Sequence, residues 1–396
     1  MRLRAGLPEP LPERLAVAVS GGSDSVGLLY LLAKLPDVPS LSVVTVNHGL
    51  RPEAAAEAEF VSHICAKLKL PHNVLHWSAG PKGGNLQAEA REARYDLMAD
   101  WAQSHGVTTL VLGHTQDDQA ETVLMRLMRG AGVTGLAAMR PFREDRGVTW
   151  LRPLLGVSRA ELRAYLGELG VTWCDDPSNE DSRFERVQTR QLMANLDLPT
   201  SRLAEVAGHM ARAEDALHHQ TEQTAGRIGQ SHLGDVLLDP VELAKLPEEI
   251  ARRLLLRALS CVGGGGYAPR SGPVMRLLHD IRAGQGGTLA GCRLFQDGSR
   301  MRVAREFAAI ADLRTLGPIW DRWRITDLAV DEEIAALGEG GLTHLPDWRK
   351  AGAPRASLIV SPAVWRRDDL VAAPLAGWEN GRPAMLLPDR DWTATH

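Results

Sequence analysis

The chain has 396 residues, 44% hydrophobic and 24% charged, with a formal net charge of −4; that length predicts two or three domains, and the charge balance argues against a protein basic throughout, so any nucleic-acid footprint must be local. Four widely spaced cysteines, Cys65, Cys174, Cys261 and Cys292, argue against a C-x-x-C metal site or a disulfide framework. Residues 1–13 lack the apolar stretch of a secretory signal and no run elsewhere is long enough to span a bilayer, so the expected location is cytoplasmic, without a membrane partner.

In chain order, residues 15–19 are apolar and β-branched and predict a buried strand, which runs at once into Ser20-Gly-Gly-Ser-Asp-Ser25 and an apolar helical pattern over residues 26–33. A strand, a Gly/Ser turn and a helix N-terminus make an anion site. Gly21 and Gly22 let the backbone approach a ligand, Ser20, Ser23 and Ser25 add hydroxyls, and the helix presents unpaired N–H groups. Phosphate is the expected guest, although the Gly-Lys-Ser/Thr ending of a Walker A loop is absent. The bland alternative is an ordinary turn with Asp24 placed for the helix dipole.

Residues 41–46 predict a second strand ending in Asn47-His-Gly-Leu-Arg51, and Pro52 opens a helix to Leu68. A third strand is expected over 72–77, a helix over 85–105 and a fourth strand over 108–113; His114-Thr-Gln-Asp-Asp-Gln-Ala-Glu-Thr122 follows, with a helix to Arg129. This alternation predicts an α/β domain, a parallel Rossmann-like sheet covered on both faces, with ligands beyond the carboxyl ends of its strands. That rule gathers residues 20–25, 47–51 and 114–121 in one cleft. A fifth strand is expected over 150–154, and Ser158-Arg-Ala-Glu161 is a capping box opening a helix to Glu168. Turn chemistry over 171–179 then precedes Arg183, Arg186 and Arg190.

An amphipathic helix over 202–227 leads to a helix from 248, the break Gly263-Gly-Gly-Gly266, a helix to Ile281 and a hairpin turning at Asp297-Gly298. Residues 251–305 hold ten arginines against Asp280 and Asp297, the one clearly basic block. The expected division is an α/β domain over 1–195, a helical or α+β middle domain with its linking helix over 196–310, and a small, mostly β domain over 311–396.

The first loop resembles the signature of PP-loop ATP pyrophosphatases, which split ATP between its α- and β-phosphates. It is joined by Asn47-His-Gly-Leu-Arg51, by Ala90-Arg-Glu-Ala-Arg-Tyr95, by residues 113–122 with Arg126, Arg129-Gly130 and Gly135-Leu136, and by Asp176-Pro-Ser-Asn179 with Arg186 and Arg190. The set closely resembles the tRNA(Ile)-lysidine synthase family, strongly over residues 15–190, fairly over 200–305 and weakly beyond. Val187 departs from it, standing where that family usually carries Asn.

The resemblance implies an adenine nucleotide α-hydrolase-like fold and a ligase using ATP and Mg²⁺. Such an enzyme joins the ε-amine of free L-lysine to carbon 2 of the wobble cytidine of tRNA(Ile) with a CAU anticodon, through an adenylated intermediate. It implies ATP at Ser20, Gly21, Gly22, Ser23, Asp24, Ser25 and Arg51, with Mg²⁺ at Asp24 or Asp117. Asp24, His48, His114, Asp118 and Glu121 become the catalytic candidates. Asp118 and Glu121, three apart on one helical face, are the expected lysine site, against the bland reading of acids that favour a helix N-terminus. Arg91, Arg94, Arg186 and Arg190, with Arg252, Arg253 and Arg293 from the basic block, are the expected tRNA contacts, against simple pairing with surface acids. Among rivals, a 2-thiolating enzyme would bring paired cysteines, and a small-molecule amide ligase of the NAD synthase type would have no use for the basic block. A non-catalytic tRNA-binding protein would not need intact loop and acids. Oligomeric state is left open, a homodimer included.

Overall fold

In the computed structural model, the strand β1 (Leu15–Ala18) is buried on both faces, which is why it is apolar throughout rather than alternating. Its period of two sends Leu15 and Val17 to one core with Leu28, Leu29, Val61 and Leu162, and Ala16 and Ala18 to another with Tyr95, Met98 and Trp150. The structure describes residues 3–36, 38, 40–49, 53–78, 80, 86–175, 183, 185–264 and 269–392. Arg51, residues 176–179 and Gly265-Gly266, all used above, lie outside them.

The chain divides into two compact units, Met1–Asp215 and Ala216–His396. In the first, six strands take the order β3 (His72–His76), β2 (Leu41–Asn47), β1, β4 (Thr109–Leu112), β6 (Val148–Leu151), β5 (Phe142–Asp145). Neighbours from β3 to β6 pair in parallel, bearing out the expected sheet, and β5 adds an antiparallel edge. β6 stops at Leu151, short of the expected Leu154, and β5 was not expected at all. Its Phe-Arg-Glu-Asp sequence is mostly exposed and shows no apolar alternation.

Helices α1 (Ser23–Ala33), α2 (Glu53–Leu68), α3 (Leu86–Ser104) and α4 (Gln116–Met128) follow their strands as expected. After the short α5 (Val133–Leu136), α6 (Arg159–Glu168) opens on the anticipated capping box, with the Ser158 hydroxyl accepting from Glu161 N–H. α7 (Glu185–Asn195) completes the unit, and Val187 on it is buried. Since β2 lies on one side of β1 and β4 on the other, the chain reverses direction at β1, and the crevice beyond its carboxyl end is where ligands sit in such sheets.

The long helix α8 (Thr200–Ile228) begins in the first unit and ends in the second. The second unit holds an antiparallel sheet in the order β7 (Gly229–His232), β8 (Asp235–Leu238), β11 (Arg300–Arg305), β10 (Cys292–Asp297), β9 (Gly287–Leu289). β10 and β11 form the expected hairpin, Asp297 facing Arg300 with Gly298 at φ +57°. After the short α9 (Pro240–Ala244), α10 (Glu248–Gly263) and α11 (Ser271–Arg282) share a core with this sheet through Leu254, Leu278, Leu238 and Val303. Two three-stranded sheets within residues 319–386 bear out the mostly β reading of the last segment. That segment is tied to the rest of its unit by Trp392, fully buried with its indole N–H donating to Ala225 O at 3.1 Å, and by the buried Arg322, 3.6 Å from Asp235. Among the described residues no helix is long and apolar enough to cross a membrane.

One helix contact in the first unit carries the site. Gly27 on α1 faces Leu162 on α6 so closely that a Cβ would stand 3.2 Å from Leu162 Cδ2, and Leu162 is fully buried. Leu162→Ala is expected to lower unfolding stability by about 2–5 kcal/mol, as for other buried leucines, measured by urea denaturation; a loss below about 1 kcal/mol would show that this contact does not fix α6.

Candidate active site

Beyond β1 the chain turns through Gly21 at φ +95°, a left-handed conformation that strains any residue with a side chain. The Gly21 carbonyl accepts from Cys174 N–H at 2.9 Å, which pins the turn from outside. Within it, Ser25 Oγ donates to Gly22 O at 3.1 Å and accepts from Ser20 N–H at 3.1 Å, so the 3.3 Å contact between the Ser20 and Ser25 hydroxyls is donated by Ser20. Gly22 caps α1 with no side chain over its first turn, which leaves those N–H groups facing the loop as an anion cradle. Gly113, at the end of β4, lets that strand pass close by: a Cβ there would stand 3.1 Å from Ser25 N and Asp24 O.

A recess of about 280 Å³ opens between the ends of β1 and β2, lined by Ser20, Gly22, Thr45, His48, Arg94 and Cys174. His48 meets Trp77 edge-on at 6.1 Å, and Asn47 Oδ1 accepts from Gly49 N–H at 2.8 Å, shaping this wall. At the end of β4, burial pushes the His114 imidazole down to about 3, with Arg152, Arg94 and Arg186 acting the same way and Asp118 opposing. His114 is therefore a neutral ring at ordinary pH, and its Nδ1 is buried without a hydrogen-bond partner.

The acids sit on the first turns of α4. Asp118 completes a capping box: its Oδ2 accepts from Thr115 N–H at 2.8 Å and from the Thr115 hydroxyl at 2.9 Å, while Oδ1 faces Arg159 at 3.6 Å and Arg186 at 4.0 Å. Burial would raise the Asp118 carboxyl, but His114 once acid protonates its ring, together with the Thr115 amide, Arg159 and Arg186, holds it below its ordinary range. Glu121 behaves oppositely, raised by burial despite Arg190, whose Nε donates to Oε1 at 2.9 Å. Its other oxygen, Oε2, is buried without a partner. A second recess, of about 210 Å³, is lined by Asp117, Glu121, Arg159, Arg190 and Asp197.

Between loop and acids lies Arg159, the first residue of α6. Its Nε donates to Asp24 Oδ2 at 2.9 Å, and its Nη atoms stand 3.6 Å from Asp118 and 3.8 Å from Glu121. Asp117 Oδ2 accepts its backbone N–H at 2.8 Å.

Residues 3–196 match the PP-loop domain family. Over 392 residues the chain is 49% identical to a tRNA(Ile)-lysidine synthase of Ruegeria pomeroyi, covering 97% of this chain and 94% of that one. The chain belongs to the tRNA(Ile)-lysidine synthase family. Further tRNA(Ile)-lysidine synthases, from Rhodopseudomonas palustris and Zymomonas mobilis, are 43% and 42% identical, covering 74% and 72% of this chain and 86% of each relative.

With the lysidine-synthase family in view, the expected residues fall into groups. Ser20, Gly21, Gly22, Ser23, Asp24 and Ser25 form the cradle, with His48 in the recess beside it and His114, Asp117, Asp118 and Glu121 beyond β4. Arg94 lines the first recess, while Arg91 is exposed, 5.4 Å over the Tyr95 ring. Arg186 and Arg190 on α7 point at the acids. In the second unit Arg252 and Arg253 both bind Glu249, and Arg293 is exposed beside Phe295. Sequence reasoning missed Arg159, Arg152 and Cys174. Arg159 alone had a local signal, since it follows the cap residue Ser158 and so had to open a helix.

Asp118 supplies a test. With its folded pKa lowered, its stabilisation is present above the unfolded value of about 3.9 and lost as pH falls through the folded one. The stability gap between the unaltered protein and Asp118→Asn should therefore be widest near neutrality and close below about pH 4; urea titrations showing the same gap at pH 7 and pH 3 would contradict the charge contacts described.

Proposed function

We propose that this protein joins free L-lysine to carbon 2 of the wobble cytidine of tRNA(Ile) with a CAU anticodon, first adenylating the cytidine oxygen at the expense of ATP and then displacing AMP with the lysine ε-amine. The observation that carries this is the unpartnered, buried Glu121 Oε2 at a recess joined through one guanidinium to a phosphate cradle. A buried carboxylate oxygen without a donor favours a cation, and lysine brings one.

Residues 20–25 hold the departing pyrophosphate and the recess at His48 and Arg94 takes the adenosine side. Lysine enters as an ammonium with a pKa of about 10.4, so it must be bound as a cation and then lose a proton before it attacks. Glu121, its carboxyl raised by burial, is the group suited to receive that proton, and Asp118 fixes the amine from the cap of α4. Neutral His114 contributes hydrogen bonds rather than charge at the reacting phosphate. Asp24 fits Mg²⁺: it is one carboxylate beside an anion cradle, and Mg²⁺ takes its remaining ligands from phosphates and water. Among the described residues no group of three or more His, Cys, Asp or Glu could hold a metal by itself. When bound, the ion offsets phosphate charge; Asp117, which accepts the Arg159 amide, is its second candidate.

For the tRNA we propose contacts from Arg91, Arg186 and Arg190 near the cleft and from the basic middle segment, within a functional division at 1–195, 196–310 and 311–396. Arg293, with Arg270 and Arg276, is exposed and is the better placed for phosphate, whereas Arg252 and Arg253 share Glu249 in partly buried pairs. Arg302 is enclosed by Asp235 and Asp297 and belongs to the core. The reading places the protein in the cytoplasm, where its substrates are.

Asp24→Ala and Ser20→Ala should lose ATP–pyrophosphate exchange while still binding tRNA, and Glu121→Gln should raise the lysine KM by about tenfold or more with little change for ATP, the scale of one charge-assisted contact. Unchanged lysine dependence would move the amine site elsewhere. Replacing Arg270, Arg276 and Arg293 together by Ala should flatten the salt dependence of tRNA binding by roughly 0.7–0.9 in log–log slope per lost phosphate contact; superimposable slopes would remove this segment from the interface.

A further inference from the structure

Arg159 touches acids that belong to two different tasks. Its side chain is 21% exposed and its backbone is held by Asp117 and by the capping box at Ser158, so what freedom it has lies in the side chain. Asp24 belongs to the phosphate cradle; Asp118 and Glu121 belong to the amine recess. On the amine side it faces Asp118 Oδ1 and Glu121 Oε1, the latter on the same carboxylate whose unpartnered Oε2 is open to an ammonium. A guanidinium stays charged at any working pH, so Arg159 competes as a full cation. Arg190 and Arg186 also face these acids, but neither makes a described contact with Asp24.

We propose that Arg159 is a positioning residue that couples the two sites: its guanidinium competes with the lysine ammonium for Asp118 and Glu121, and phosphate oxygens in the cradle, taking over the guanidinium as Mg²⁺ takes Asp24, draw it away from them. Nucleotide binding then raises the affinity for lysine, and by linkage lysine raises the affinity for nucleotide by the same factor. The physical reason is charge. Two cations cannot share one pair of carboxylates without repulsion, whereas the phosphates add negative charge at the other end of the same side chain. This rests on the assignment of Asp118 and Glu121 to lysine.

The test is equilibrium dialysis of labelled L-lysine against the full chain, with and without α,β-methylene-ATP and Mg²⁺, which cannot turn over between the α- and β-phosphates. The unaltered protein should bind lysine about fivefold or more tightly with the analogue present. In Arg159→Gln that ratio should collapse toward one, with lysine affinity without analogue at or above that of the unaltered protein. Arg190→Gln should change lysine affinity but keep the ratio. If Arg159→Gln does not fold, Arg159→Lys, a charge too short to span both acid groups, should still reduce the ratio. A ratio of one in the unaltered protein, or an unchanged ratio in both Arg159 variants, overturns the coupling alone. Lysine binding indifferent to Glu121→Gln overturns the site assignment, and the coupling with it.

Discussion

Three carboxylates from two helix N-termini converge on one guanidinium, and the first unit is arranged so that they can. Asp24 opens α1, Asp118 lies in the first turn of α4 with Glu121 one turn on, and Arg159 opens α6. Asp24 and Asp118 gain from the positive ends of their own helices, but gathered with Glu121 they repel, and the most buried of the three, Glu121, is held where desolvation favours its protonated form. Arg159, Arg186 and Arg190 offset this without satisfying every oxygen. What remains is a site that is charged, enclosed and short of one donor.

The sheet supplies the convergence. Reversal of strand order at β1 opens a crevice, and the glycines at its rim permit close approach: Gly21 by its backbone conformation and Gly113 by clearing the first turn of α1. In the proposed reading the recess toward β2 takes the nucleoside and the recess between α4 and α7 takes the lysine ammonium. A reaction that spends ATP to activate one substrate and then admits an amine needs both, adjacent but separate, and Arg159 lies on the short path between them.

Local chemistry was legible in the sequence wherever one residue type can do only one thing. The strand–loop–helix at residues 15–33, the capping box at Ser158 and the hairpin at Gly298 were read correctly because turn glycines, cap hydroxyls and apolar runs act on their own neighbours. Partnerships across the fold were not legible. Arg159 reads as an ordinary first-turn arginine until α6 packs on α1 through Gly27 and Leu162. Arg302 counted as part of a basic block, yet its partner Asp235 lies in β8, where no local signal marks a buried acid. β5 escaped because an edge strand buries little and so shows no apolar pattern.

The most direct test is to incubate the protein with ATP, labelled L-lysine and total bacterial tRNA, then digest the tRNA and locate the label. The account predicts label in a single tRNA species, on the wobble nucleoside, dependent on ATP and lost in Asp24→Ala. Label spread over many tRNAs, or none in any tRNA while ATP is still cleaved, would contradict it.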